Sequence, residues 1–373
     1  MADDAAEVVT KDFQAFSGLA IPIKRAAYSD RTAWLMAIMA QLAYTPFDED
    51  SDNAVLSMAA ELAELAEKDA IAEKLKTLLK TIDRRENTDN AILRNVLKEG
   101  GFILKGVLFS AETDTQGFVA VKKPADDDPG MAVVAFRGTQ EIKDWITNLD
   151  SATVDVTSRQ SSSNAVLGKV HKGFDKAFKS VESQINDLLE GDENLPLYIS
   201  GHSLGGALAT LATWYLPGTK LAACYTFGAP RAGDTGLRNR YRTPIYRIVN
   251  GADPVPFVPP SGITIDIFKF LLRLLSTFLP ILDRVLPFII ARQGYRHYGD
   301  SRYLTICVPG PEQAYPALTV NAGVSTLERI WRVVRRSVEG AWTQGARLDK
   351  YHSMGTYRAK LRSWAQRRQK REF

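Results

Sequence analysis

Apolar residues follow two different spacings along this chain, and the switch between them divides it. From Thr32 to Tyr44 they cluster as in a buried helix, and Ala54 to Ile82 reads as a longer helix rich in Ala, Leu, Glu and Lys. Beyond Glu99 the period shortens. Phe102–Phe109, Gly117–Val121 and Met131–Phe136 read as strands, with Asp126–Gly130 as the turn between the last two. A helix over Phe174–Leu189, a strand over Leu197–Ser200 and a helix over Ser203–Tyr215 follow. Then come a strand at Ala222–Phe227, a short helix at Leu237–Tyr241 and a strand at Ile245–Val249. Strand–helix alternation of this kind predicts right-handed crossovers and a mainly parallel sheet covered on both faces, an α/β architecture.

A second apolar stretch breaks this alternation. In residues 263–290 the less apolar positions recur at 266, 269, 273, 276/277, 280, 283/284 and 287, in steps of three and four. They trace one narrow polar stripe on a helix whose remaining circumference is Ile, Leu, Phe and Val, with Pro280 dividing it in two. Five prominent apolar positions are Phe268, Leu271, Leu272, Leu275 and Phe278. Two readings fit: a helical pair packed on the core, or a lid that embeds its apolar face in a lipid surface. The charges within it exclude a membrane span.

Composition changes the picture in one place. Of 373 residues, 45% are hydrophobic and 24% charged, as in an ordinary globular protein, and the net charge is only +4. From Asn321 to Phe373, however, 13 basic residues face 4 acidic ones, a local +9 that leaves −5 for the first 320. Arg329, Arg332, Arg335 and Arg336 lie at helical spacing, and Arg358, Lys360, Arg362, Arg367, Arg368, Lys370 and Arg371 follow. The default reading is a solvated helix face; the alternative is attraction to anionic lipid, at ~1 kcal/mol per basic residue. No recognition motif accompanies the charge, so a nucleic-acid partner is not expected. The acidic start, Met1 to Glu7, lacks the basic and apolar segments of a secretory signal. A cytoplasmic or peripheral membrane protein is expected, or one exported without such a signal. Cys224 and Cys307 form no metal-ligand pattern, and no metal or cofactor is called for.

The candidate chemistry lies in Leu197-Tyr-Ile-Ser-Gly201-His202-Ser203-Leu204-Gly205-Gly206. A buried strand runs into G-x-S-x-G and a helix of small residues runs out, the context of a nucleophile elbow. Gly201 and Gly205 leave room around a strained Ser203, and the helix start sets backbone N–H groups beside it. A serine nucleophile needs a histidine base and an orienting acid, in the chain order Ser, acid, His. That order removes His171, while His202 adjoins the nucleophile and is turned away from it. His297 and His352 both remain. Asp253 sits in a Pro-stiffened loop just past a strand, with Asp234 as its rival one strand earlier.

Several blocks then resemble one family in its own order. They are Ala135-Phe-Arg-Gly-Thr139 with the segment 142–149, Val170-His-Lys-Gly-Phe174, Thr226–Asp234, Asn250-Gly-Ala-Asp253-Pro-Val-Pro256 and Tyr295-Arg-His297-Tyr-Gly299. With the elbow, they resemble the class 3 lipases, fungal lipase-like enzymes of the α/β-hydrolase fold. The resemblance implies Ser203 as nucleophile, Asp253 as acid and His352 as base. Lys350-Tyr-His-Ser-Met354 with Tyr357 matches the family's late His block, although Tyr351 replaces the usual acid before the histidine. It implies an oxyanion hole from the N–H groups of Thr139 and Leu204, with the Thr139 hydroxyl as a third donor. It places the family's usual lid at about 140–150, around Trp145. Cleavage of lipid esters through an acyl-enzyme, most naturally of triacylglycerols, is the expected activity. Phospholipase A1 and smaller-ester (feruloyl-type) activities are alternatives, as is a non-catalytic lipase-like binding module. The expected organisation is an N-terminal helical region, 1–100, packed on a hydrolase domain, 101–373, with an insertion at about 261–292.

Overall fold

The computed structural model describes residues 2–16, 27–45, 90–126, 128–139, 152–157, 166–216, 221–238, 243–259, 294–311, 314–325 and 348–369, with Tyr241, Glu328 and Trp331. The helix expected over Ala54–Ile82, the apolar insertion with Phe268, Leu271, Leu272, Leu275 and Phe278, and Trp145 lie outside the described residues. So do Arg329, Arg332, Arg335, Arg336, Lys370 and Arg371.

An eight-stranded sheet organises the chain. Its strands are β1 (Ile103–Ser110), β2 (Thr115–Lys122), β3 (Met131–Phe136), β6 (Leu197–His202), β7 (Leu221–Phe227), β8 (Ile245–Asn250), β9 (Asp300–Leu304) and β10 (Val320–Ala322), side by side in that order. The run from β3 to β9 is parallel, and the two edges are antiparallel. Strands β4 (Thr153–Thr157) and β5 (Val166–His171) form a separate antiparallel pair. The side-chain period of two sorts the central strands between two cores. Phe118, Ala120, Val133, Ala135 and Tyr198 face one core. Val119, Val121, Val134, Phe136 and Ile199 face the other. This sheet, parallel at its centre and covered on both sides, has the α/β-hydrolase architecture.

Helices Ala2–Phe16, Asp30–Leu42, Ala91–Glu99 and Met354–Gln369 cover the first face. Those at Lys172–Lys179, Glu182–Leu189 and Leu204–Tyr215 cover the second. Helix Asp30–Leu42 is capped by the Ser29 hydroxyl, which accepts from the Thr32 N–H at 3.3 Å. It is apolar nearly all round because it lies between the sheet and Met354–Gln369.

The structure corrects three sequence readings. The helix expected over Phe174–Leu189 is two, because the Ser180 hydroxyl donates back to the Ala177 carbonyl at 2.9 Å and Val181 leaves helical geometry. The short helix expected at Leu237–Tyr241 is Thr235–Arg238, started by the Asp234 carboxylate accepting from the Gly236 N–H at 2.9 Å. The third concerns the described part of the basic tail, which is no solvated face. Met354, Tyr357, Leu361 and Ala365 form a buried stripe at steps of three and four, and Arg358 and Lys360 are buried beside them. Arg367 donates to the Pro316 and Leu318 carbonyls and lies over the Trp364 ring, and Arg368 pairs with Asp30 at 2.9 Å.

Asp12 explains how the tail is held. Its buried carboxylate accepts from both Arg358 and Arg362, joining helix Ala2–Phe16 to helix Met354–Gln369. Asp12→Ala strands a buried guanidinium, and the expected loss is ~3–5 kcal/mol of unfolding free energy. Urea melts of the two proteins check it; equal midpoints contradict the claim.

Candidate functional site

Strand β6 delivers its last residue to a turn in which Ser203 adopts φ +57° and ψ −127°. Few non-glycine residues accept that backbone, so the surroundings must over-determine it. The Ser203 N–H donates to the Phe227 carbonyl at 2.9 Å, tying the turn to the neighbouring strand. A Cβ on Gly201 would overlap the Gly205 carbonyl, and one on Gly205 would overlap the Phe136 carbonyl. The spacing of the elbow is therefore a packing requirement. Helix Leu204–Tyr215 starts at the next residue, so the Leu204 N–H is among the first-turn donors with no intrahelical acceptor.

Asp253 follows the end of β8 and is buried. Its Oδ1 accepts from the Val255 N–H at 3.0 Å, which fixes the carboxylate within its own turn. The Tyr357 hydroxyl donates to Oδ2 at 2.6 Å. His352 ends the short helix Leu348–His352, and its Nδ1 lies 2.9 and 3.0 Å from the two carboxylate oxygens. Facing an acceptor, Nδ1 carries the proton, which leaves a lone pair on Nε2. His352 Nε2 and Ser203 Oγ are both buried, and neither has a hydrogen-bond partner among the described residues. Gly228, at φ +57°, lets the cluster close, since a Cβ there would crowd Asp253 Oδ2 and the His352 ring.

The structure thus brings Ser203, Asp253 and His352 to one end of the parallel strands, and it sends the rivals elsewhere. His297 is bonded through Nε2 to the Pro256 carbonyl at 2.7 Å. His171 caps helix Lys172–Lys179, its Nδ1 accepting from the Gly173 and Phe174 N–H groups. Asp234 caps Thr235–Arg238. Gly138, next to Thr139, approaches so closely that a Cβ there would lie 3.0 Å from Ser203 Cβ. Gly138 thus packs against the serine one residue before Thr139, and Leu204 follows the serine directly.

His202 is an elbow residue by its place in the sequence, and Tyr44 lies far from the motif. The His202 ring lies against that of His352, with centroids 4.5 Å apart. Its Nε2 bonds the His352 carbonyl at 2.6 Å and its Nδ1 the Tyr44 hydroxyl at 2.6 Å. A carbonyl only accepts, so Nε2 carries the proton and Tyr44 donates to Nδ1. Burial, with His352 beside it, pushes the His202 pKa well below its ordinary value. A neutral ring thus sits beside the one that must charge during proton transfer. No pattern in the sequence links residues 44, 202 and 352, which meet only through the fold.

Residues 133–262 match the family described as lipase (class 3). The chain is 31% identical over 167 residues to secreted mono- and diacylglycerol lipase 1 of Fusarium solani, covering 42% of this chain and 47% of that one. It is 30% identical over 168 residues to the chloroplastic phospholipase A(1) DAD1 of Arabidopsis thaliana, covering 38% of each. The chain spans about half or less of the length of these curated relatives. Native Rhizomucor miehei lipase in its propeptide complex superposes with a TM-score of 0.43 at 23% identity, over 70% of this chain and 74% of that one. The match to the class 3 lipases thus falls on residues 133–262, the part of the chain that carries the elbow and the Asp253 loop.

Proposed function

We propose that this chain is a serine hydrolase cleaving the carboxylic esters of glycerolipids through an acyl-enzyme, with Ser203 as nucleophile, His352 as base and Asp253 as orienting acid. One observation carries the reading. A buried imidazole held by Nδ1 on a carboxylate keeps an unbonded Nε2, and a buried, unbonded serine hydroxyl stands at the same end of the parallel strands. That is the arrangement acyl transfer requires.

In the reaction, Ser203 Oγ attacks the acyl carbon while His352 Nε2 takes its proton. The Asp253 carboxylate, held by Tyr357 and the Val255 N–H, orients and stabilises the imidazolium. The oxyanion forms between the N–H groups of Leu204 and Thr139, worth ~3–4 kcal/mol for a well-placed donor. His352 then protonates the departing alcohol, and water repeats the sequence on the acyl-enzyme. A binding module has no use for this complete set.

The names of the relatives bracket the substrate: a mono- and diacylglycerol lipase on one side, a phospholipase A(1) on the other. Acylglycerols are the first choice, as the resemblance of the sequence blocks implies. The substrate meets the protein at a lipid surface. The test is a panel of p-nitrophenyl esters of increasing chain length beside diacylglycerol, triacylglycerol and phosphatidylcholine. Acylglycerol turnover exceeding phospholipid turnover is expected. Preference for phosphatidylcholine shifts the assignment to phospholipase A1, and no turnover of any ester rejects it.

A further inference from the structure

Lys360 is almost wholly buried, in helix Met354–Gln369, and it has no carboxylate partner among the described residues. A buried ammonium without an anion is costly, and lysine is rarely buried that way. Its Nζ donates to the Asn250 Oδ1 at 2.7 Å and to the Thr305 carbonyl at 2.7 Å, and it lies over the Tyr315 ring. Burial lowers its pKa to about 8. Such a costly group calls for a role, and its partner supplies one.

Asn250 ends strand β8, three residues before Asp253, and is itself fully buried. Its Nδ2 donates to the Tyr351 carbonyl at 2.7 Å, the peptide that leads into His352. Its backbone N–H donates to the Tyr357 hydroxyl at 2.9 Å, and that hydroxyl donates onward to Asp253. One residue therefore contacts the supports of both the base and the acid. An ammonium only donates, so facing Lys360 obliges the Asn250 amide to turn its oxygen that way and its NH2 toward Tyr351.

We propose that Lys360 is a positioning residue for the triad: it orients the Asn250 amide, which holds the peptide carrying His352 in place against Asp253. The His352 backbone is then pinned on both sides, at the Tyr351 carbonyl by Asn250 and at its own carbonyl by His202. The proposal rests on the hydrolase reading above. It concerns the chemical step and leaves substrate binding untouched, since the network lies behind the triad in the core.

The experiment measures the rate constant for labelling of Ser203 by a p-nitrophenyl phosphonate, with kcat and KM on a short p-nitrophenyl ester. The far-downfield proton resonance of the His352–Asp253 bond is recorded beside them. Lys360→Met keeps the apolar stem and removes the ammonium. It should label ~10–100-fold more slowly, with kcat reduced, KM unchanged and the resonance shifted or lost. Asn250→Asp is the second variant. It gains an ion pair with Lys360, which supports folding, but it offers no donor to the Tyr351 carbonyl, and a similar loss is expected. If either variant, shown folded by its thermal melt, labels at the wild-type rate with the resonance in place, the proposal is overturned. If the wild type itself is not labelled at Ser203, the hydrolase reading fails and this inference falls with it.

Discussion

Ser203→Ala should abolish ester hydrolysis while leaving the fold intact, with a loss of roughly 10⁴–10⁶-fold in kcat. The effect is large because the hydroxyl is the only atom lost. The elbow is held by the Ser203 N–H to Phe227 and by the close approach at Gly201, and neither involves the side chain. The Ser203 hydroxyl has no hydrogen bond to give up among the described residues, so the stability cost is small. Hydrolysis of a short p-nitrophenyl ester, compared with thermal melts of both proteins, checks the claim. Activity retained within tenfold would place the nucleophile elsewhere.

The second large effect separates two histidines that chain order alone leaves equivalent. His352→Ala removes the base and should cost roughly 10⁴-fold or more in kcat. His297→Ala should leave kcat within a few-fold, because that imidazole bonds the Pro256 carbonyl in the turn Val255–Phe257 and not Asp253 Oδ1 or Oδ2, which His352 holds. Its loss frees the Pro256 carbonyl and should lower stability by ~1–3 kcal/mol. Steady-state kinetics and denaturant melts on both variants distinguish the roles. An inactive His297→Ala beside an active His352→Ala would reverse the assignment.

Much of this protein was legible along the chain, and the reasons are local. The strands β2, β3, β6 and β8 announce themselves because a strand buried on both faces must be apolar throughout, and turn residues bound each run. The elbow is legible because its glycines answer contacts with residues a few positions away. The carboxyl-end position of Asp253 follows from the strand before it. Less legible were the edge strands β9 and β10, which are short and only partly apolar. The helix Met354–Gln369 was misjudged for a different reason. Its charge count is that of a solvated helix, and only the stripe at 354, 357, 361 and 365 reports the face it buries.

The sequence by itself determined the α/β alternation, the serine at the end of the central strand and the order in which acid and base must follow. Each of these depends on neighbours within a few residues, where periodicity and turn chemistry act. Only the tertiary structure decided how the site is held. Tyr44 reaches the elbow across 158 residues, Tyr357 reaches Asp253 across 104, and Lys360 reaches Asn250 across 110. Such bonds form because packing brings buried polar groups within reach of one another, and a buried donor or acceptor must find a partner wherever the fold supplies it. The same packing buried part of a basic tail, setting Arg358 against Asp12 and Lys360 against Asn250.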